Sequence, residues 1–305
     1  MRRTEVDLDA VRNVGNLEFL AKRLVEGFIT GLHKSPYHGF SVEFSEHRLY
    51  NSGESTRHLD WKVFARTEKL FVKRYEEETN LRCQLLLDVS GSMYYPVENF
   101  GKLSYGVLSA AALATLLQKQ RDAVGLTTFS DHIELQTPIR STGAHLHTLL
   151  LHLQQQLQKP APPQKETRVA AMLHHIAQQL PKRSLVILFS DLLSQYEQLD
   201  EIFLALQHLR HQQHEILLFH FTHADTEEDF HFPDRPFTFV GLESGDKIKV
   251  QPAELRAAYV EAMRRFKSEL KLRCGQNRID LISVDLRDPF EKVLQAYLVK
   301  RQKVR

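Results

Sequence analysis

The chain has 305 residues, 42% of them hydrophobic and 26% charged, and its 40 basic and 38 acidic side chains leave a formal net charge of +2. This composition excludes disordered and fibrous proteins, and the length suits one main domain with a flank. The balanced charge gives no broad basic surface for nucleic acid, and Cys83 and Cys274 lack the spacing of a zinc ribbon or a disulfide framework.

The first 79 residues are predicted to form a helix and a β-rich flank. Apolar residues recur at helical spacing from Leu17 to Leu32. Residues 38–80 are typical of short strands and turns, with strands at 42–44 and from 70 onward. The chain shows neither the apolar core of a signal peptide at its start nor a run of about 18 apolar residues. We therefore expect a cytoplasmic protein without a membrane span.

Residues 80–305 alternate between strand and helix patterns, which predicts an α/β fold with a doubly wound, mostly parallel sheet. A small insertion near 225–251, with a hairpin around 243–247, interrupts the alternation. Strands are predicted at 81–88, 122–129, 132–139, 184–191, 215–223 and 279–286, and helices at 98–119, 144–157, 169–180, 199–210, around 255–270 and at 289–300.

Two of the predicted strands end on an acid. QLLLDVSGSMYY, residues 84–95, passes from an apolar run to Asp88, Ser90 and Ser92, and SLVILFSD ends on Asp191. Because parallel strands present their carboxyl ends at one edge of the sheet, these groups can meet. Such an oxygen-only set favours a hard cation, Mg²⁺ or another divalent cation such as Ca²⁺ or Mn²⁺.

The segment DVSGSM at 88–93 resembles the D-x-S-x-S motif of the metal-ion-dependent adhesion site (MIDAS) in von Willebrand factor A domains. The resemblance implies that Thr167, just before a predicted helix, and Asp191 complete a ligand set with Asp88, Ser90 and Ser92. It also implies a protein–protein interaction module rather than an enzyme. Because the protein ligands leave a coordination position open, we expect a partner's Asp or Glu to complete the shell.

Residues 38–79 are similar to the segment that precedes the type A domain in a family of bacterial proteins of unknown function. The similarity lies in the order of EF, R-x-Y, GE, R-x-x-DW, AR and an E-rich strand end. Members are often encoded beside MoxR-type AAA+ ATPases, so the resemblance implies an adaptor or chaperone-like partner of such an ATPase. Many members carry membrane segments near the N-terminus; this chain resembles a soluble member.

Other interpretations of the strand end stay open. Asp88, Ser90 and Ser92 suit a strand-to-helix turn or a helix cap, and Thr167 suits an N-cap. A Mg²⁺-dependent phosphatase-like hydrolase using Asp88 is the alternative function, although Ser90 stands where that chemistry needs a second acid. VSGSM also lacks the G-x-S-x-G elbow of serine hydrolases.

Two further segments carry weaker signals. GKLS at 101–104 is similar to the end of a P-loop, but Leu103 follows Lys102 and Pro96 occupies the position of the first glycine, so we expect no ATP site. RHLDWKVFAR, from Arg57 to Arg66, favours a buried ion-pair and aromatic cluster that fixes the flank, with a partner site as the alternative.

Overall fold

A computed structural model describes residues 17–33, 47–49, 64–66, 71–73, 81–97, 101–160, 169–193 and 198–303. The chain divides into two units: residues 1–29 and 81–305 make up the larger one, and residues 30–80 the smaller one. The domain boundaries expected above, 1–79 and 80–305, stay a prediction.

Helix α1 (Leu17–His33) is the predicted amphipathic helix. Its buried positions Leu17, Ala21, Val25 and Phe28 recur every three or four residues and so form one face. In the smaller unit, strands β1 (His47–Leu49) and β2 (Phe71–Lys73) pair antiparallel. The predicted strand at 42–44 lies outside the described residues.

A six-stranded sheet forms the centre of the larger unit, in the order β10–β7–β6–β3–β4–β5, with β5 antiparallel to β4 and the other pairs parallel. In chain order its strands run outward from β3 to one edge and then from β6 to the other, which is the doubly wound arrangement. The predicted fold class is thereby confirmed. The strands are β3 (Arg82–Asp88), β4 (Ala123–Phe129), β5 (Ile133–Gln136), β6 (Leu185–Ser190), β7 (Glu215–Thr222) and β10 (Asp280–Asp285).

Helices cover both faces of this sheet, which explains why the central strands carry apolar residues on both faces. Every residue of β6 is buried. One face packs against α4, α5 and α6 through residues such as Leu86 and Leu188, and on the other face α2 approaches Leu87 at Gly106. The helices are α2 (Gly101–Lys119), α3 (Gly143–Gln156), α4 (Val169–Gln179), α5 (Leu199–His211), α6 (Pro252–Gln276) and α7 (Glu291–Lys303).

The predicted hairpin near 243–247 is present as strands β8 (Phe237–Val240) and β9 (Lys247–Val250), which pair antiparallel. Aromatic rings hold it in place: Phe239 lies 5.6 Å from Phe230, and Phe230 lies 4.5 Å from Tyr259 of α6, measured between ring centroids. The hairpin therefore has a fixed base, from which its turn projects.

Candidate metal centre

The candidate site lies at the carboxyl ends of β3 and β6, two neighbouring parallel strands. Leu87 pairs with Phe189, so Asp88 at the end of β3 comes beside Ser190 at the end of β6, and Asp191 follows directly. The chain leaves β3 and β6 towards opposite edges of the sheet, which opens a crevice between these two strand ends. The structure thus brings Asp88 and Asp191 to the same edge.

The loop after β3 joins these two acids through hydroxyl groups. It turns into a short 3₁₀ helix, Gly91–Tyr94, which folds the serines back over the strand end. The Oγ atoms of Ser90 and Ser92 lie 3.1 Å apart, and Ser92 Oγ donates to Asp191 Oδ1 at 3.1 Å. Three of the predicted ligands therefore form one continuous chain of oxygen contacts.

Asp88 is held at the base of this chain and is only 2% exposed. The backbone N–H of Ser90 donates to its Oδ1 at 2.9 Å, and Ser190 Oγ donates to its Oδ2 at 2.6 Å. Burial, and then the nearby charge of Asp191, raise the pKa of Asp88 to about 7, against the lowering effect of these hydrogen bonds. A metal cation that binds to Asp88 would therefore displace this proton.

A buried lysine completes the site, and the sequence analysis did not assign it there. Lys102, in the first turn of α2, has no exposed side-chain surface, and its Nζ lies 2.6 Å from Asp191 Oδ2. Lys102 also forms an ion pair with Glu227. Burial by itself would lower the pKa of Lys102, but the charges of Asp191 and Glu227 raise it, so the ammonium group stays protonated.

Glu227 comes from the helical turn after β7, so a third strand end contributes to the site. Its Oε2 accepts a hydrogen bond of 2.7 Å from the backbone N–H of His223, and this contact fixes the carboxylate towards Lys102. Lys102 thus links two carboxylates from different segments.

Sequence signals for these additional residues were faint. Lys102 is the one charged residue between Gly101 and Gln118, in a helix that is otherwise rich in Ala and Leu and almost wholly buried. A lone lysine in such a helix needs a buried partner, which could have marked it as part of a site. Ser190 immediately precedes Asp191, yet an apolar strand pattern gives no reason to single it out.

Two sets of predicted residues cannot be placed. Thr167 lies outside the described part of the chain, so its role as a ligand stays a prediction. The same holds for Arg57, Asp60 and Trp61, whereas Arg66 ends a short helical turn and is exposed.

The spacing of the oxygen atoms fits a small divalent cation. Mg²⁺ binds about six oxygens at about 2.1 Å, so neighbouring ligands of an octahedral shell lie about 3.0 Å apart. The separations from Ser90 Oγ to Ser92 Oγ and from Ser92 Oγ to Asp191 Oδ1 are both 3.1 Å. Carboxylate and hydroxyl oxygens are also the donors that Mg²⁺ prefers.

The charge of the site fits a divalent cation as well. Asp88, Asp191 and Glu227 carry three negative charges when ionised, and Lys102 carries one positive charge, which leaves a formal charge of 1 − 3 = −2. Uncompensated charge is costly in a buried site, and a divalent cation would offset it.

A second acidic group lies on the surface, outside this site. Asp225, Asp229 and His231 offer ligand atoms within 4.8 Å of one another. Asp225 forms an ion pair with Arg287 at 2.6 Å, and His231 Nε2 lies 2.6 Å from a guanidinium nitrogen of Arg256. Arg287 and Arg256 already contact this group, so its charge does not require a metal cation.

The profile of the family described as "Protein of unknown function DUF58" matches residues 46–269, about three quarters of the chain. The chain belongs to this family. Membership confirms the resemblance to a family of proteins of unknown function that residues 38–79 indicated. The family description assigns no activity.

Uncharacterized proteins of Mycobacterium bovis and Mycobacterium tuberculosis are 27% identical over 177 residues, or 58% of this chain, and the chain spans 55% of their length. Among solved structures, BatB from Bacteroides thetaiotaomicron matches with a TM-score of 0.44 and 13% identity, over 73% of this chain and 99% of that one. The SpRpn10 VWA domain matches with a TM-score of 0.38 and 9% identity, over 70% and 93%. None of these similarities assigns a function to the chain.

Among the described residues, no helix combines the length and the apolar character that crossing a membrane requires.

Proposed function

We propose that the chain is a protein-interaction module that binds a divalent cation, Mg²⁺ in the first instance, at the carboxyl ends of β3 and β6. Asp88, Ser90, Ser92 and Asp191 hold the cation, and Thr167 is the further ligand that the D-x-S-x-S resemblance implies. The continuous contacts from Ser90 through Ser92 to Asp191 carry this proposal, because their spacing suits an octahedral shell. Ca²⁺ and Mn²⁺ share the same oxygen chemistry.

Each residue of the site has a distinct task. Asp88 and Asp191 supply negative charge, while the two serines offer neutral oxygens. Ser190 orients Asp88 through the 2.6 Å hydrogen bond to Oδ2. Lys102 holds Asp191 by Oδ2 and leaves Oδ1 directed towards Ser92, so it positions the ligand without belonging to the shell.

A partner's carboxylate would complete the shell. Once bound, Mg²⁺ would supply a coordination position for an oxygen from outside the chain, and an Asp or Glu side chain suits such a position because carboxylate oxygens are ligands that Mg²⁺ prefers. Binding of this kind requires the cation, so removal of the cation should separate the partners.

For the partner we propose a MoxR-type AAA+ ATPase, with this chain as its adaptor or chaperone-like component. Support for this identity is family membership together with the resemblance of residues 38–79 to proteins often encoded beside such ATPases. The carboxylate requirement rests on coordination chemistry instead, so the two parts of the proposal can fail separately.

Affinity purification of the tagged chain from its own cells tests both parts. With Mg²⁺ in every buffer, we expect a MoxR-type AAA+ ATPase among the captured proteins, and we expect EDTA and Ser92→Ala to abolish its capture. Ser109→Ala is the matched control, since Ser109 is buried in α2 and its hydroxyl donates to the backbone carbonyl of Tyr105 in that helix. Capture that persists in EDTA and in Ser92→Ala would show that the partner docks elsewhere.

The phosphatase-like hydrolase remains the alternative function, and the site offers no specific support for it. Ser90 occupies the position of the general acid, and its hydroxyl contacts another hydroxyl, that of Ser92, rather than a carboxyl group. Turnover of a generic phosphate ester that Asp88→Asn abolishes would favour this alternative over an interaction module.

A further inference from the structure

The turn of the β8–β9 hairpin lies against the loop that carries the two serines. A Cβ atom placed on Gly91 would lie 2.9 Å from the carbonyl oxygen of Leu242 and 3.6 Å from Cγ of Glu243. A Cβ atom does not approach a backbone oxygen that closely, so the two segments can touch in this way only because residue 91 is a glycine. The φ angle of Gly91 is not in the left-handed region, so the contact rather than the local backbone conformation requires glycine here.

Glu243 sits on this turn with its side chain directed inward. Its neighbours Leu242 and Ser244 are exposed, whereas Glu243 is half-buried and its Oε1 is shielded from solvent. A carboxylate at the tip of a surface hairpin ordinarily faces water. Here it lies beside Gly91, the residue between the two proposed serine ligands.

The position of the turn is well determined. Gly241 N–H donates to the carbonyl of Asp246, and Gly245 N–H donates to the carbonyl of Gly241, both at 2.8 Å. Gly245 adopts a φ of 77°, in the left-handed region that glycine reaches without strain. Because the aromatic rings fix the base of the hairpin, these bonds set where Glu243 lies.

We propose that Glu243 is the chain's own carboxylate ligand for the candidate metal centre, and that the hairpin turn covers the position that a partner's Asp or Glu takes. The inference rests on the proposed function. Glu243 has the same chemistry as the carboxylate expected from a partner, and its Cγ lies 3.6 Å from a Cβ placed on Gly91, the residue between the two proposed serine ligands. Gly241 and Gly245 flank the tip, and their hydrogen bonds hold it beside Gly91.

Calorimetric titration of the full chain with Mg²⁺ tests the ligand role. We expect Glu243→Gln to weaken Mg²⁺ binding by about tenfold, since an oxygen ligand loses its charge. Asp246→Asn is the matched control: it removes the same charge from the same turn at an exposed position, and we expect its affinity to stay within about twofold of the unaltered chain.

Hydrogen exchange of the metal-free chain tests whether the hairpin turn covers the loop that carries the two serines. Gly91→Ala places a methyl group 2.9 Å from the carbonyl oxygen of Leu242, which forces the two segments apart, so we expect the amides of residues 90–95 to exchange about tenfold faster. Gly143→Ala is the control, because a Cβ at Gly143 meets open space, and it should leave the exchange of residues 90–95 unchanged.

The outcomes separate this inference from the proposed function. If the Glu243→Gln variant binds Mg²⁺ as tightly as the unaltered chain and the Asp88→Ala variant does not bind it, Glu243 is not a ligand. The proposed function would still stand in that case. Asp88→Ala binding Mg²⁺ normally would overturn the proposed function and this inference with it. If residues 90–95 exchange at equal rates in the Gly91→Ala variant and in the unaltered chain, the hairpin turn does not cover this loop.

Discussion

Two acidic groups of the larger unit, one buried and one exposed, show what turns carboxylates into a candidate binding site. At the strand ends, Asp88 and Asp191 are 2% and 1% exposed. Near the end of β7, Asp225 is half-buried, and Asp229 and His231 are exposed. Ligand atoms of the exposed group lie within 4.8 Å of one another, whereas the buried acids are joined through the hydroxyl groups of Ser90 and Ser92.

Their electrostatic surroundings differ more than their composition. The exposed group can exchange its arginine partners for water at little cost, since exposed ion pairs are weak. The buried group cannot use water, and its one lysine does not offset all of its carboxylates, so its remaining charge needs a proton or a cation. Burial, rather than the number of acids, distinguishes the two groups.

Asp88→Ala and Asp225→Ala should give the largest contrast. We expect Asp88→Ala to abolish the heat of Mg²⁺ binding because it removes a buried ligand, and Asp225→Ala to leave binding unchanged. Isothermal titration calorimetry measures both, with circular dichroism to confirm that each variant is folded. If Asp225→Ala is the variant that loses Mg²⁺, the exposed group is the metal centre and the contrast is reversed.

Lys102→Met should strongly destabilise the metal-free chain, because it leaves the buried charges of Asp191 and Glu227 without their partner. The free energy of unfolding should fall by about 3–5 kcal/mol, measured by urea denaturation in EDTA. Arg287→Met, at the exposed group, should leave the denaturation midpoint where it is. Equal midpoints for the two variants would mean that Lys102 makes no net electrostatic contribution.

Ser190→Ala should weaken Mg²⁺ binding by about tenfold, because the hydroxyl that orients Asp88 Oδ2 is lost while every proposed ligand remains. Ser130→Ala serves as its control, since Ser130 Oγ bonds Asp131 and Glu134 instead. Calorimetry at constant pH reads out both variants. Identical affinities would show that the orientation of Asp88 does not depend on Ser190.

The pH should have the smallest effect. The pKa of Asp88 is raised to about 7 by burial, so at pH 7 about half of the metal-free chain must release a proton before Asp88 can bind a cation. Raising the pH from 7 to 8 should therefore increase the apparent Mg²⁺ affinity by about twofold, with a steeper rise below pH 7. An affinity that is flat from pH 6 to 8 would show that Asp88 is already ionised there.

Local patterns were sufficient to predict the fold and the main strand ends. Leu85–Leu87 and the run before Asp191 are apolar on both faces, which is the mark of a central strand, and an acid directly after such a run falls at the edge of the sheet. Most helices and strands of the larger unit therefore lie within a few residues of their predicted bounds, whereas α6 extends to Gln276, beyond the predicted end near 270. The D-x-S-x-S spacing likewise placed Ser90 and Ser92 at the site.

Packing between distant segments determines which side chains meet these acids. Lys102 and Glu227 are 125 positions apart, and they pair because the first turn of α2 and the segment after β7 both lie over the carboxyl edge of the sheet. Glu243 and Gly91 are likewise distant in sequence, and the aromatic base of the hairpin brings them together. Hydrophobic periodicity indicates which face of its own helix or strand a residue occupies. Buried charges are paired by packing between different elements, and no local sequence pattern encodes that packing.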